Sequence, residues 1–110
     1  MKSYGLTINL VDSPEVIEQY KKYHDNVWPE ILENSATMGI QKTRIFLLGR
    51  QLFLYMETTD SFDLDSSFLP STAKHPRVKE WGELMESFQE PVRDAKDGEW
   101  WTLMELVHES

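Results

Sequence analysis

The residues best suited to chemistry crowd into one run, YKKYHDNVWPE, from Tyr20 to Glu30. Tyr20 and His24 are four apart, so on a helix they share a face about one turn from each other. A histidine with an ordinary pKa near 6.5 both gives and takes protons close to neutrality. Tyr20, with a reference pKa near 10, is a proton donor or a positioning hydroxyl and a weak base. Trp28 can stack on the apolar face of a small polar ring, and Tyr23 and Asp25 flank the histidine. Each residue also has a plain alternative. A helical histidine is more often non-catalytic, Tyr20 fits a half-buried place on an apolar stripe, and Trp28 fits a core anchor before a bend. Glu30 fits a favourable charge at a helix start.

The elements that must position this run are legible from periodicity. Tyr4 to Val11 alternates as a strand, with Leu6, Ile8 and Leu10 set against Thr7 and Asn9. Asp12 or Ser13 caps the following helix, and Pro14 fits its first turn. Val16, Ile17, Tyr20, Tyr23, His24 and Val27 form its stripe. Pro29 interrupts the helix or opens a new turn, because residue 28 is biased away from helical angles. Helix then continues from Glu30 to Met38 and stops at Gly39. Two strands, Ile40 to Leu48 and Gln51 to Thr58, flank Gly49-Arg50, a pair more natural in a II′ than a I′ hairpin turn. Thr59 to Ser71 reads as a loop or broken helical turn able to fold over a site. Lys74 to Gln89 is helical, with Val78, Trp81, Leu84, Met85 and Phe88 on one side, and Trp100 to Val107 is a final strand.

The order β-α-β-β-α-β predicts an α+β, ferredoxin-like fold, a four-stranded antiparallel sheet with two helices on one face. The opposite face keeps apolar side chains, so it must meet a second subunit or line a cavity. With 110 residues the chain is read as one domain, 1–110, without repeat or linker. A domain of this size buries roughly 60–68% of its extended surface, so dimerisation would supplement its core.

Charge narrows the partners. Nineteen acidic and 11 basic residues leave a formal charge of -8, without a basic patch, which opposes nucleic acid and anionic membranes. A neutral small molecule is the expected substrate. The absence of cysteine excludes disulfides and thiolate nucleophiles. No run has the signal-peptide or membrane-span pattern, so a cytoplasmic location is the default expectation. The three histidines, at 24, 75 and 108, lie on different elements without metal-ligand spacing, so no metal is expected. No phosphate-binding or nucleophile-elbow motif is present. Trp100 and Trp101, read as neighbours on a strand, should point to opposite faces, one into the core and one to the open side. Trp81 reads as core more readily than as pocket.

The chain resembles the L-rhamnose mutarotase family, including its L-fucose-associated members. The likeness is carried by Tyr20-x-x-x-His24-x-x-Val27-Trp28-Pro29-Glu30, then Gly39-Ile40, Ile45-Phe46-Leu47, Leu52-Phe53, Glu57, Trp81, Leu84-Met85 and the stretch from Trp101 to Val107. It spans nearly the whole chain, and the HxxVWPE segment is specific. The resemblance implies a homodimeric, barrel-like assembly that interconverts the α and β anomers of a 6-deoxy-L-sugar without a cofactor. It implies catalytic roles for His24 and Tyr20; the expected sugar-binding residues beside them are Tyr23, Trp28, Trp81 and Trp101. Rhamnose-type members carry a tyrosine in the strand after the first helix, where this chain has Thr43. LLGRQLFLYMET looks more like the fucose-associated branch, so L-fucose is slightly favoured over L-rhamnose.

Mutarotation removes the anomeric hydroxyl proton and protonates the ring oxygen, work for one group near pKa 7 and one hydroxyl donor. Two other classes fit the same pattern: a dimeric ferredoxin-like monooxygenase acting on a flat hydrophobic substrate, and a non-catalytic sugar-binding module. Haem titration separates the first, and anomer exchange the second.

Overall fold

Strict alternation decides which side of the sheet is buried. Leu52, Leu54, Met56 and Thr58 of β3 (Gln51–Thr58) are buried, while Gln51 and Phe53 between them are exposed. β3 is an inner strand of the sheet, antiparallel to β1 (Lys2–Leu10) on one side and β2 (Ile40–Leu48) on the other. The register places Leu6 beside Leu54 and Ile8 beside Leu52, so one apolar layer runs across both strands. The computed structural model describes residues 1–110, the side chain of Ser66 excepted.

The strand order is β2-β3-β1-β4, the ferredoxin-like arrangement. β4 (Gln89–Glu90) and β5 (Thr102–Leu103) both pair with β1, at successive places along the same edge. The expected strand over Trp100 to Val107 is therefore reduced to two ladder residues. Gln89 and Glu90 take the partners Leu10 and Asn9, and the chain's return pairs only at Leu6 and Thr7.

Three helices cover the buried layer, against the two expected. α1 (Pro14–Asp25) starts at Ser13, whose hydroxyl accepts from the Val16 amide at 3.4 Å. Pro29 opens a separate α2 (Pro29–Met38) and does not merely kink the first helix, because Trp28 before it is held extended at ψ 135°. α2 ends at Gly39, with φ +93°. α3 (Pro76–Ser87) is capped by the His75 ring, which accepts from the Arg77 amide at 3.2 Å. In the hairpin, positive φ is confined to Gly49 at +63° and is not shared by Arg50, as a II′ turn requires.

Between β3 and α3 the chain forms two 3-10 turns, Ser66–Phe68 and Pro70–Thr72. The second lies directly on α3 at Gly82. A methyl group there would sit 2.0 Å from the Ser71 amide nitrogen and 2.6 Å from the Pro70 carbonyl carbon. Only hydrogen fits that contact, so Gly82 sets how closely the segment approaches the helix. The open sheet face keeps Phe46 and Phe53 stacked at 6.0 Å, with Phe46 56% and Leu48 84% exposed. Among the described residues no helix is long and apolar enough to cross a membrane.

Candidate active site

α1 brings Tyr20 and His24 to the helix face that meets the sheet, as their spacing requires. Tyr20 is 4% exposed and joins the main core with Ile8, Leu10, Val78 and Trp81. The Tyr20 and His24 rings stack at 4.3 Å, with 30° between their planes. Both face a half-open cavity of about 180 Å³ lined by α1, α2, β2, β3, α3 and the two aromatic residues before β5. That is smaller than the several hundred Å³ of drug-sized sites and suits a single small ring. Most of its wall is aliphatic or aromatic, including Val27, Ile31, Ile45, Leu54 and Met56.

Hydrogen bonding fixes the histidine's tautomer. His24 Nδ1 lies 2.9 Å from the Tyr20 carbonyl oxygen, which can only accept, so Nδ1 carries the proton. In the neutral ring Nε2 then holds a lone pair. Burial lowers the His24 pKa below its ordinary value, opposed by the bond to the Tyr20 carbonyl and by the Asp25 charge. The resting imidazole is thus neutral at pH 7, a base and not an acid.

Tyr20 is displaced in the opposite sense. Burial pushes its phenol up to about 12, and a hydrogen bond from Gln89 works against that rise. Gln89 Nε2 donates to the Tyr20 hydroxyl at 3.3 Å, and Gln89 Oε1 accepts from Trp100 Nε1 at 2.9 Å. Two adjacent rings whose proton affinities are shifted in opposite directions thus lie side by side at the cavity wall.

The remaining sequence-derived candidates separate into two groups. Trp81 and Trp101 line the cavity. Tyr23 and Trp28 do not, and instead border a surface depression with Gln19, Lys22 and Asn26. They stand behind Trp81, edge-on to its ring at 6.0 and 5.1 Å, while His24 meets the same ring at 5.5 Å. The Arg77 guanidinium caps Trp28 at 3.7 Å and reaches Glu30 at 3.5 Å, so Glu30 belongs to a surface cluster. Trp81 is 3% exposed and is both core and cavity wall.

Trp100 and Trp101 do not point to opposite faces as expected. Both line the cavity, because regular pairing begins only at Thr102 and strand alternation does not govern them. Trp100, Gln89 and Glu86, which were not among the sequence-derived site residues, also line the cavity. Glu86 is the cavity's one carboxylate among the described residues and accepts from the Ser71 hydroxyl. The 59–71 segment supplies Phe68, Leu69 and Pro70 to the wall. Thr43 also lines it.

Fold and site together define a small α+β protein whose covered sheet face carries a half-open cavity lined by His24 and Tyr20. The sequence profile of the L-rhamnose mutarotase family matches residues 3–110, and the chain belongs to that family. It is 44% identical over 111 aligned positions to a UPF0734 protein of Dictyostelium discoideum, covering 98% of this chain and 89% of that one. It is 30% identical over 103 positions to an L-fucose mutarotase of Xanthomonas campestris pv. campestris, covering 92% and 82% respectively. Among solved structures, the L-rhamnose mutarotase of Formosa agariphila superposes with a TM-score of 0.71 at 18% identity, covering 100% of this chain and 99% of that one. The last likeness concerns the fold. Family membership supports a sugar mutarotase, an isomerase-type activity acting on a monosaccharide.

Proposed function

We propose that this protein is a cofactor-independent mutarotase that interconverts the α and β anomers of a 6-deoxy-L-hexose, with L-fucose favoured over L-rhamnose. The observation that carries the proposal is the stacked Tyr20–His24 pair on the cavity wall, with the imidazole Nε2 unprotonated. In the reaction, His24 Nε2 takes the anomeric O1–H proton. The O1 electrons form the C1=O1 bond, the C1–O5 bond breaks, and O5 takes the Tyr20 hydroxyl proton. Rotation about C1–C2 exposes the other carbonyl face. Return of both protons closes the ring as the opposite anomer.

Charges balance within the pair. The transient imidazolium and phenolate lie in stacked rings, so each offsets the other's burial. Trp81, Trp100 and Trp101 can pack against the pyranose, while Glu86 can accept hydrogen bonds from sugar hydroxyls. Tyr23 and Trp28 act through Trp81, holding it in place. The aliphatic wall suits a 6-methyl group in place of a hydroxymethyl. Thr43 in place of the rhamnose-type tyrosine, with the L-fucose mutarotase relative, supports the fucose preference.

The partners in this reading are a small neutral monosaccharide and a second copy of the chain, in the cytoplasm. The exposed stack of Phe46 and Phe53, with Leu48 beyond it, supports dimerisation through the open sheet face. Magnetisation-transfer NMR with L-fucose, L-rhamnose and D-glucose tests the activity. Faster α–β exchange for a 6-deoxy-L-sugar at micromolar protein is expected. Binding without acceleration would instead make the chain a sugar-binding module.

A further inference from the structure

Resting on the mutarotase reading, we infer that Gln89, locked by Trp100, is a positioning residue that aims the Tyr20 proton into the cavity and stabilises the phenolate left behind. The direction of the chain of bonds follows from donor chemistry. An indole N–H only donates, so the atom of Gln89 facing Trp100 Nε1 at 2.9 Å is the carbonyl oxygen. The amide nitrogen consequently faces Tyr20 and donates to its hydroxyl oxygen at 3.3 Å. With that lone pair occupied, Tyr20 keeps its own proton for another acceptor. Among the described residues none accepts it, and Tyr20 lines the cavity.

The same bond matters more once the proton has left. A phenolate would face an N–H donor, which stabilises it, and not a carbonyl oxygen, which would repel it. Gln89 is itself 7% exposed, so water competes little for either end of the amide. Without the indole N–H, the amide could rotate by half a turn and present its oxygen to Tyr20. Trp100 thereby determines the sense of proton transfer without carrying a proton. The site is assembled from three separated stretches, Tyr20 on α1, Gln89 at β4 and Trp100 before β5, and none of the three is adjacent to another in sequence.

The test uses the full chain with Trp100→Phe, which removes the N–H and keeps most of the ring, and Gln89→Glu, which keeps the shape and reverses the donor. Folding of each is checked by its 1H–15N spectrum. Trp100→Phe should lower kcat for anomer exchange about tenfold, the weight of one hydrogen bond, with KM nearly unchanged. Gln89→Glu should lower it further, on the order of 100-fold near pH 7, because the carboxylate accepts a hydrogen bond from the Tyr20 hydroxyl and repels the phenolate. Gln89→Met, which neither donates nor accepts strongly, should fall between them if Gln89→Glu folds poorly. In the wild type, the Gln89 side-chain NH2 protons should show cross-relaxation to the Tyr20 ring. Folded Trp100→Phe and Gln89→Glu proteins with wild-type kcat would overturn the inference, as would Gln89 NH2 protons with no cross-relaxation to Tyr20. If the wild-type protein accelerates no sugar, the mutarotase reading fails by itself. The cross-relaxation then decides the orientation alone.

Discussion

His24 donates its Nδ1 proton to the carbonyl oxygen of Tyr20, one helical turn earlier, while the two side-chain rings lie stacked 4.3 Å apart. A single turn of α1 therefore selects the imidazole tautomer and places the phenol beside it. Burial then drives the two ionisations apart, lowering one and raising the other. Groups with separated affinities for a proton are what an acid–base exchange between neighbouring oxygens needs.

The pH dependence has a definite sign. The proposed role of His24 as a base needs the neutral ring, and its folded pKa lies below 6.5. Anomer exchange should be level above about pH 6.5 and fall as pH drops through the depressed pKa. Stability moves the same way. Between the folded pKa and about 6.5 the unfolded chain binds more protons, so stability is full above that window and declines as pH falls through it. Exchange rates and urea midpoints from pH 4.5 to 8 check both. Activity that rises on acidification would contradict a neutral histidine base.

Removing the hydroxyl with Tyr20→Phe leaves the buried Gln89 amide without its acceptor. A loss of about 1–3 kcal/mol is expected from an unsatisfied buried donor. Anomer exchange should fall by ~100-fold or more with the loss of the acid. Thermal melts and exchange spectroscopy separate the two effects. An active, equally stable Tyr20→Phe would contradict the assignment.

Much of this was legible in the sequence, for reasons particular residues make clear. Leu6, Ile8 and Leu10 alternate against Thr7 and Asn9, and Leu52, Leu54 and Met56 alternate in the same way, so period-2 patterning fixes both inner strands and their buried face. Tyr20 and His24 share a helix, so their proximity needs only the helical repeat. Gln89 and Trp100 needed the tertiary structure. Gln89 follows an amphipathic helix, where a polar residue ordinarily marks solvent, and it is buried only because two residues of β4 pair with β1. Trp100 was assigned by alternation to a strand that starts two residues later. Glu86 is one helical turn beyond Gly82 and reads as a solvated charge; it reaches the cavity wall beside Ser71 because Gly82 admits that turn. Two intervals could have drawn notice: a glycine inside an amphipathic helix, and the Gly98 turn just before the paired tryptophans.

Gly82→Ala makes the close approach measurable. In an exposed helix, Gly→Ala stabilises by about 1 kcal/mol. Here the added methyl meets the Ser71 nitrogen at 2.0 Å, so the 70–72 turn must move off α3. A net destabilisation of ~1–3 kcal/mol is expected, as for other overpacked sites, with weaker sugar binding because Leu69 and Pro70 shift. A Tm that rises instead would show the contact to be compliant.

The open sheet face offers a test independent of catalysis. Phe46→Asp combined with Leu48→Asp places two charges on an apolar surface that a partner copy is proposed to cover. Sedimentation velocity should show a dimer for the wild type and a monomer for the double variant, with unchanged far-UV circular dichroism. A wild type that sediments as a monomer at micromolar concentration would remove the interface from the account.

The most direct test compares wild type and His24→Gln by α–β magnetisation transfer on L-fucose at equal protein concentration and pH 7.5. The account expects clear acceleration by the wild type and a loss of ~100-fold or more in a normally folded His24→Gln. A His24→Gln protein that exchanges anomers as fast as the wild type, or a wild type no faster than buffer, would contradict it.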